Sequence, residues 1–125
     1  MEAVQILNTA ETIRKQLLCN NLNILLSWGI THLVAVVKND MAALKFNVRA
    51  RLHKGSVIIA YDEGSDTYQI FLRTHDAPDR CIADEAYCDN LVDIIDHAIE
   101  SGDDPAEYSR FCEAEFHKLL QGNIL

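Results

Sequence analysis

No stretch of this chain approaches the roughly 20 consecutive apolar residues that a membrane-spanning helix needs. The apolar runs are short ones such as LVAVV at 33–37. The opening MEAVQILNTAETIRKQ has neither a basic start nor a long apolar stretch, so no secretory leader is expected and the cytoplasm is the expected compartment. Internal repeats, low-complexity tracts and linkers are absent, which argues against a multi-domain or solenoid architecture. Basic charge is also scarce: 11 Lys+Arg stand against 19 Asp+Glu, a net charge of −8. That balance disfavours a generic nucleic-acid binder, which neutralises phosphates with an excess of cations.

Catalytic signatures are missing too. There is no glycine-rich phosphate loop, no G-x-S-x-G, no H-E-x-x-H and no dinucleotide fingerprint. The four cysteines, Cys19, Cys81, Cys88 and Cys112, suit reduced thiols better than bridges, because a 125-residue domain buries enough surface to fold without them. Cys19 and Cys112 fall in or beside apolar stripes and are expected to be buried as small hydrophobes. Six residues separate Cys81 from Cys88, and four separate Cys112 from His117. Structural zinc favours paired ligands with two to four residues between cysteines, so no metal is expected, and no cofactor.

What the chain does contain is ordinary globular material, 49% apolar and 24% charged, consistent with one α+β domain over residues 1–125. Asn8 and Glu11 predict a capping box. Ala10, Ile13, Leu17 and Leu18 then form one helical face, which Asn20 and Asn21 can end. From Leu22 the period changes to two, predicting a strand through Trp28 that Gly29 breaks. ITHLVAVVKND reads as a short helical turn capped by Thr31, against a β-branched density that favours a strand.

Residues 43–52 alternate cleanly, with Leu44, Phe46, Val48, Ala50 and Leu52 expected inward. A turn at Lys54 and Gly55 leads into SVIIAYD, and DEGSD at 62–66 turns into TYQIFLR. After Pro78 the pattern reads as helical. Asp89 would cap a helix carrying Leu91, Val92, Ile95, Ala98 and Ile99 and stopping at Gly102. Asp104, Pro105 and Glu107 start a last helix with a Tyr108, Phe111, Cys112, Phe116, Leu119 and Leu120 stripe, which Gly122 can end. The predicted fold is an antiparallel meander sheet of three to four strands, with an N-terminal helix and two C-terminal helices packed on one face.

Charge is segregated along this plan. Residues 1–75 hold 8 Lys+Arg and 6 Asp+Glu, net +2; residues 76–125 hold 3 and 13, net −10. In strand 43–52 the alternation puts Lys45, Asn47, Arg49, Arg51 and His53 on one face, with Lys54 beside them. Such a row suits phosphates, but it carries no aromatic platform for bases. It also suits the plain role of a solvated face that discourages edge aggregation. On the helix after Asp89, Asp93, Asp96, His97 and Glu100 share one face, which reads first as the plain polar side of an amphipathic helix; carboxylates beside an imidazole also suit a divalent metal, a basic partner or hydrolase chemistry. A Cys–His pair can be drawn from Cys81 or Cys88 with His75 or His97, but nothing in the spacing selects one.

The Trp28–Gly29 pair, LKFNVRARLHKGSVIIAY, DTYQIFLRT at 66–74 and YCDNLVDIIDHAIE together resemble small uncharacterised proteins carried by bacterial mobile elements. The resemblance covers residues 9–101, implies no activity, and gives no residue a role. The expectation is a non-enzymatic accessory protein that binds a macromolecule, a protein partner being favoured over nucleic acid, with no membrane association. Phosphate or nucleic-acid binding through the basic strand is the alternative, and a hydrolase built on His97 and carboxylates is a further one.

Overall fold

The computed structural model describes residues 2–19 and 22–123, the side chains of 22, 23 and 119–123 excepted. Helix α1 (Ala3–Leu18) and α2 (Leu22–Ser27) precede five strands: β1 (Thr31–Lys38), β2 (Met41–Arg49), β3 (Lys54–Asp62), β4 (Thr67–Thr74) and β5 (Ala77–Ala86). α3 (Leu91–Asp96) runs into a π-helical turn (His97–Ser101), and α4 (Pro105–Asn123) ends the chain's described part. The strands form one antiparallel meander in the order β1-β2-β3-β4-β5, so the chain is α+β as expected, with five strands rather than three or four. Among the described residues no helix is long and apolar enough to cross a membrane.

Strand β2 supplies the core. Leu44, Phe46 and Val48 alternate onto the helix side and meet Val57 and Ile59 of β3 and Ile70 and Leu72 of β4. Ala10, Ile13 and Leu17 of α1 cover part of this face, and Leu91, Val92, Ile95 and Ile99 cover the rest. Trp28 sits between the two helix groups. Its indole stacks parallel to Phe46 with ring centroids 6.5 Å apart, and its Nε1–H donates to Asp96 Oδ1 at 2.9 Å. The Trp28 carbonyl accepts the Arg49 amide at 2.8 Å, which fixes the end of β2. The Tyr68 hydroxyl donates to Gln16 Oε1 at 2.6 Å, tying α1 to β4.

Several expected elements differ. The first helix begins at Ala3, because Gln5 Oε1 reaches back to the Glu2 amide at 3.2 Å, nearly two turns earlier than an Asn8 cap. Its expected end at Asn20 and Asn21 lies outside the described residues. Residues 22–27 are helical: Leu25 and Trp28, three apart, are both buried, whereas Leu26, paired with Trp28 in the alternating reading, is 69% exposed. Thr31–Lys38 is a strand, ended by a two-residue turn in which Asn39 and Asp40 both take positive φ (50° and 63°), the type I′ hairpin geometry.

Ala77–Ala86, expected to be helical, is the edge strand β5. Pro78 is tolerated there because an edge strand has a side with no ladder bond to lose. β2 stops at Arg49, so Ala50 is buried but Leu52 is half exposed in the loop that follows. Asn90, not Asp89, holds the N-cap position of α3, without a side-chain cap bond to the helix; its Oδ1 instead accepts the Tyr87 amide at 2.7 Å. Gly102 does stop the helix with φ 73°, and Asp104 Oδ1 does accept the Ala106 and Glu107 amides. α4 continues through Gly122 to Asn123. Cys19 and Cys112, expected to be buried, are exposed, as are Cys81 and Cys88; no disulfide joins any two of them.

The second sheet face is not simply wet. Ala43, Ile58, Ala60 and Phe71 are buried there, with Val36 and Met41 packed against them, although the helices lie on the other side. Closure comes from the sheet itself. Lys38 Nζ of edge strand β1 reaches Asp79 Oδ2 of edge strand β5 at 2.7 Å and sits 4.8 Å from the Phe71 ring centroid. A flat sheet would hold these strands four spacings, roughly 19 Å, apart, farther than a lysine and an aspartate reach together. The sheet is therefore strongly curled, aided by the register irregularities between β4 and β5.

The Trp28 position should be the most sensitive in the fold. Trp28→Ala is expected to lower the unfolding free energy by about 3–5 kcal/mol, measured by urea denaturation followed by far-UV circular dichroism. A decrease below about 1 kcal/mol would contradict the packing described.

Candidate anion-binding site

The concave side of the curled sheet opens at one end into a hollow of about 770 Å³. His32 of β1, Lys45 and Arg49 of β2, Lys54 of β3, Arg73 of β4 and His75 beyond it line this hollow, with Asn47, Ser56 and Gly55 between them. Among the described residues no carboxylate lines it. Register explains the gathering. Arg49 lies opposite Lys54, and Asn47 opposite Ser56, which in turn lies opposite Arg73. The Ser56 hydroxyl donates to Asn47 Oδ1 at 2.9 Å, and Arg49 and Lys54 are exposed.

Gly55 is required at the hollow's mouth. A Cβ there would stand 2.3 Å from the Arg73 carbonyl oxygen and 3.2 Å from His53 Nε2, so only hydrogen fits. His32 adopts φ 56°, unusual for a side-chain-bearing residue, at the irregularity between Thr31 and Val34 that turns the start of β1.

Lys45, Arg49 and Lys54 have no carboxylate within ion-pair distance among the described residues. Arg73 does have one: its Nε and Nη2 both lie 2.9 Å from Asp79. Two cations therefore converge on one carboxylate, and the hydrogen bonds from Arg73 and then Lys38 hold the Asp79 carboxyl well below the usual range. The trio carries net +1, leaving the rim positive.

Two members of the expected row are elsewhere. Beyond Arg49 the strand has ended, so alternation no longer sets direction. Arg51 turns to the C-terminal elements: its Nε donates to the Glu100 carbonyl at 2.8 Å, Nη2 to the Ser101 carbonyl at 2.9 Å, and Nη1 to Glu107 Oε1 at 3.1 Å. Its guanidinium also lies 5.5 Å from the ring centroids of both Tyr108 and Phe111, with the side chain only 10% exposed. Burial, followed by the bond to Cys112, raises the Tyr108 hydroxyl to about 12, so the ring stays neutral beneath the cation. His53 is buried, its Nε2 3.1 Å from the Ser56 carbonyl, an acceptor that requires the proton on that nitrogen.

The acidic helix is likewise divided. Asp96 holds the Trp28 indole, and Glu100, 5% exposed, accepts the Arg51 amide at 2.8 Å. The π turn inserts an extra residue per turn, which rotates Glu100 off the polar face that regular helical spacing predicts. Asp93 and His97 remain exposed, and His97 Nε2 pairs with Asp103 at 2.6 Å. That pair lies beside an open groove, not an enclosed pocket; Asp104 and Glu107 also line it, and among the described residues no cysteine or hydroxyl side chain does. Among the described residues, no three His, Cys, Asp or Glu side chains assemble as metal ligands.

Arg73, His75 and His32 join Lys45, Arg49 and Lys54 in the hollow, and sequence reasoning missed all three. Arg73 is legible in principle, since it extends the TYQIFLR alternation onto the same face as Phe71. His32 is not, because the spacing around it reads as a helical turn. No protein-family model, no curated protein and no solved structure matches this chain.

The Asp79 pairing gives a pH test. Its carboxyl is lowered in the folded state, so its stabilising contribution is complete above the unfolded value near 3.8 and is lost as pH falls below it. Asp79→Asn should be less stable than wild type at neutral pH, with the difference shrinking below about pH 4. Thermal melts at stepped pH measure it, and a difference independent of pH would contradict the pairing.

Proposed function

We propose that this chain is a small non-enzymatic accessory protein that binds a polyanion, with the phosphate backbone of a nucleic acid as its target, through the basic hollow of the sheet. One observation carries this reading. In a chain of net −8, the hollow gathers Lys45, Arg49, Lys54 and Arg73 with two imidazoles and without a lining carboxylate among the described residues. Nearby cations raise one another's electrostatic energy, and a concave wall concentrates their field, so a multiply charged anion is the complementary ligand. With no aromatic side chain lining the hollow among the described residues, recognition falls to phosphates rather than stacked bases.

Docking of a protein partner on the acidic helix, favoured by sequence, has less to rest on. Of Asp93, Asp96 and Glu100, the last two already serve Trp28 and Arg51. The hydrolase reading of His97 loses support in the same way, since its imidazole faces an open groove with Asp103 as its acidic partner. The resemblance to mobile-element proteins, with a cytoplasmic setting, belongs to this proposal and adds no residue role.

Fluorescence polarisation with labelled RNA and DNA oligonucleotides tests the reading. Affinity should fall steeply with salt, and Arg49→Ala combined with Lys54→Ala should weaken binding at least about tenfold, reducing the log–log salt slope by about 0.7–0.9 for each phosphate that is no longer neutralised. Arg51→Ala should leave the affinity of the folded protein unchanged while destabilising it, because it removes the clamp on α4. Salt-independent binding, or equal weakening by Arg51→Ala and Arg49→Ala, would overturn the assignment.

A further inference from the structure

The edge formed by β1 is unusually unprotected. Natural edge strands carry charge, proline or bulges that stop another strand from adding. From Thr31 to Val37 this strand has no charged residue and no proline, its last residue Lys38 is turned across the sheet onto Asp79, and its only irregularity lies at the Thr31–Val34 end. Leu33, Val34 and Val37 are 45%, 47% and 52% exposed. Along the helix side of this edge runs an apolar groove of about 420 Å³ between α1, α2 and β1, where Leu18 and Leu26 are also exposed. Among the described residues Arg14 is the only charged one lining it, and its guanidinium is held by Glu11.

We infer that a second copy of this chain adds to the β1 edge, pairing β1 with β1′ antiparallel about a two-fold axis. Charge selects the place. Copies of net −8 repel one another over most of their surface, whereas β1 and the groove contain no carboxylate among the described residues, so self-association meets least resistance here. Area permits it. The exposed parts of Leu18, Leu26, Leu33, Val34 and Val37 amount to roughly 500 Å² per copy, so burial of all of it on both copies, together with the paired backbone, reaches the roughly 1,000 Å² total that a specific interface needs.

Symmetry makes it closed. A two-fold axis perpendicular to the sheet gives an isologous pair with no free β1 edge left, not an open fibre. The same axis keeps the helix layers on one side and both hollows on the other, producing a ten-stranded sheet. Antiparallel pairing sets the Thr31–His32 end of each β1, which lines the hollow, opposite the far end of the other copy's strand, so the two basic hollows lie at opposite ends of the seam.

Sedimentation equilibrium and hydrogen exchange test the inference without reference to any anion. The wild-type protein should shift with rising concentration from 14.1 kDa to twice that mass. Backbone amides of β1 should gain protection over the same range. Val34→Glu with Val37→Glu should raise the dissociation constant at least tenfold. Should that variant fail to fold, the wild-type exchange pattern decides. The inference fails if the wild type stays at the monomer mass, if concentration-dependent protection falls on Pro105–Asn123 instead of β1, if a folded double variant dimerises like wild type, or if β1 takes up only a foreign apolar peptide.

Discussion

The shape of this protein depends on one carboxylate. Asp79, on the last strand, is gripped by Arg73 from the neighbouring strand and by Lys38 from the first. Because Lys38 and Asp79 belong to opposite edges of a five-stranded sheet, their contact requires curvature that a flat sheet lacks. Small residues make the curvature feasible. Ala43 and Ala60 let the walls approach, and Ile58 and Phe71 fill what remains. A sheet that would otherwise leave one face in water thus gains a second small core without adding a helix. The carboxylate that closes it is neutralised in doing so, and the cations at the open end keep their charge.

A second constraint works at the other end of β2. Arg49 and Arg51 look equivalent in an alternating pattern, yet the backbone between them leaves the sheet, and their fates diverge. Arg49 stays with the hollow, whereas Arg51 is enclosed by two carbonyls, one carboxylate and two aromatic faces. This latch joins the loop after β2 to both the π turn and α4. It also accounts for Glu100, a buried acid that accepts the Arg51 amide instead of presenting charge to solvent.

Those two fates show where sequence reading succeeds and where it stops. β2 and β4 are legible because their sequences alternate, β3 because a short apolar run stands between two turn signals, and the caps at Asp104 and Gly102 because their signals are local. The edge strands are not. β1 is exposed over its first half, and β5 is mostly solvated, so neither displays the period-two burial that identifies a strand. The short helix α2 misleads for the converse reason, since with apolar residues at nearly every position only tertiary packing decides which ones turn inward. Within the site, Lys45 and Arg49 follow from alternation and Lys54 from the turn beside them, whereas excluding Arg51 and His53 requires knowing where the strand ends. His32, Arg73 and His75 come from other strands and join only through the curl.

Trp28 is the only tryptophan in the chain, fully enclosed, stacked on Phe46 and hydrogen-bonded to the Asp96 carboxylate. A fluorophore in that position has its dipole fixed by an anion and its faces shut off from solvent. Its emission therefore senses the seam where α2, β2 and α3 converge. Any event that loosens the C-terminal helices from the sheet changes the indole's electrostatic surroundings before the strands separate, so a single intrinsic optical signal distinguishes partial opening of the helix layer from complete unfolding.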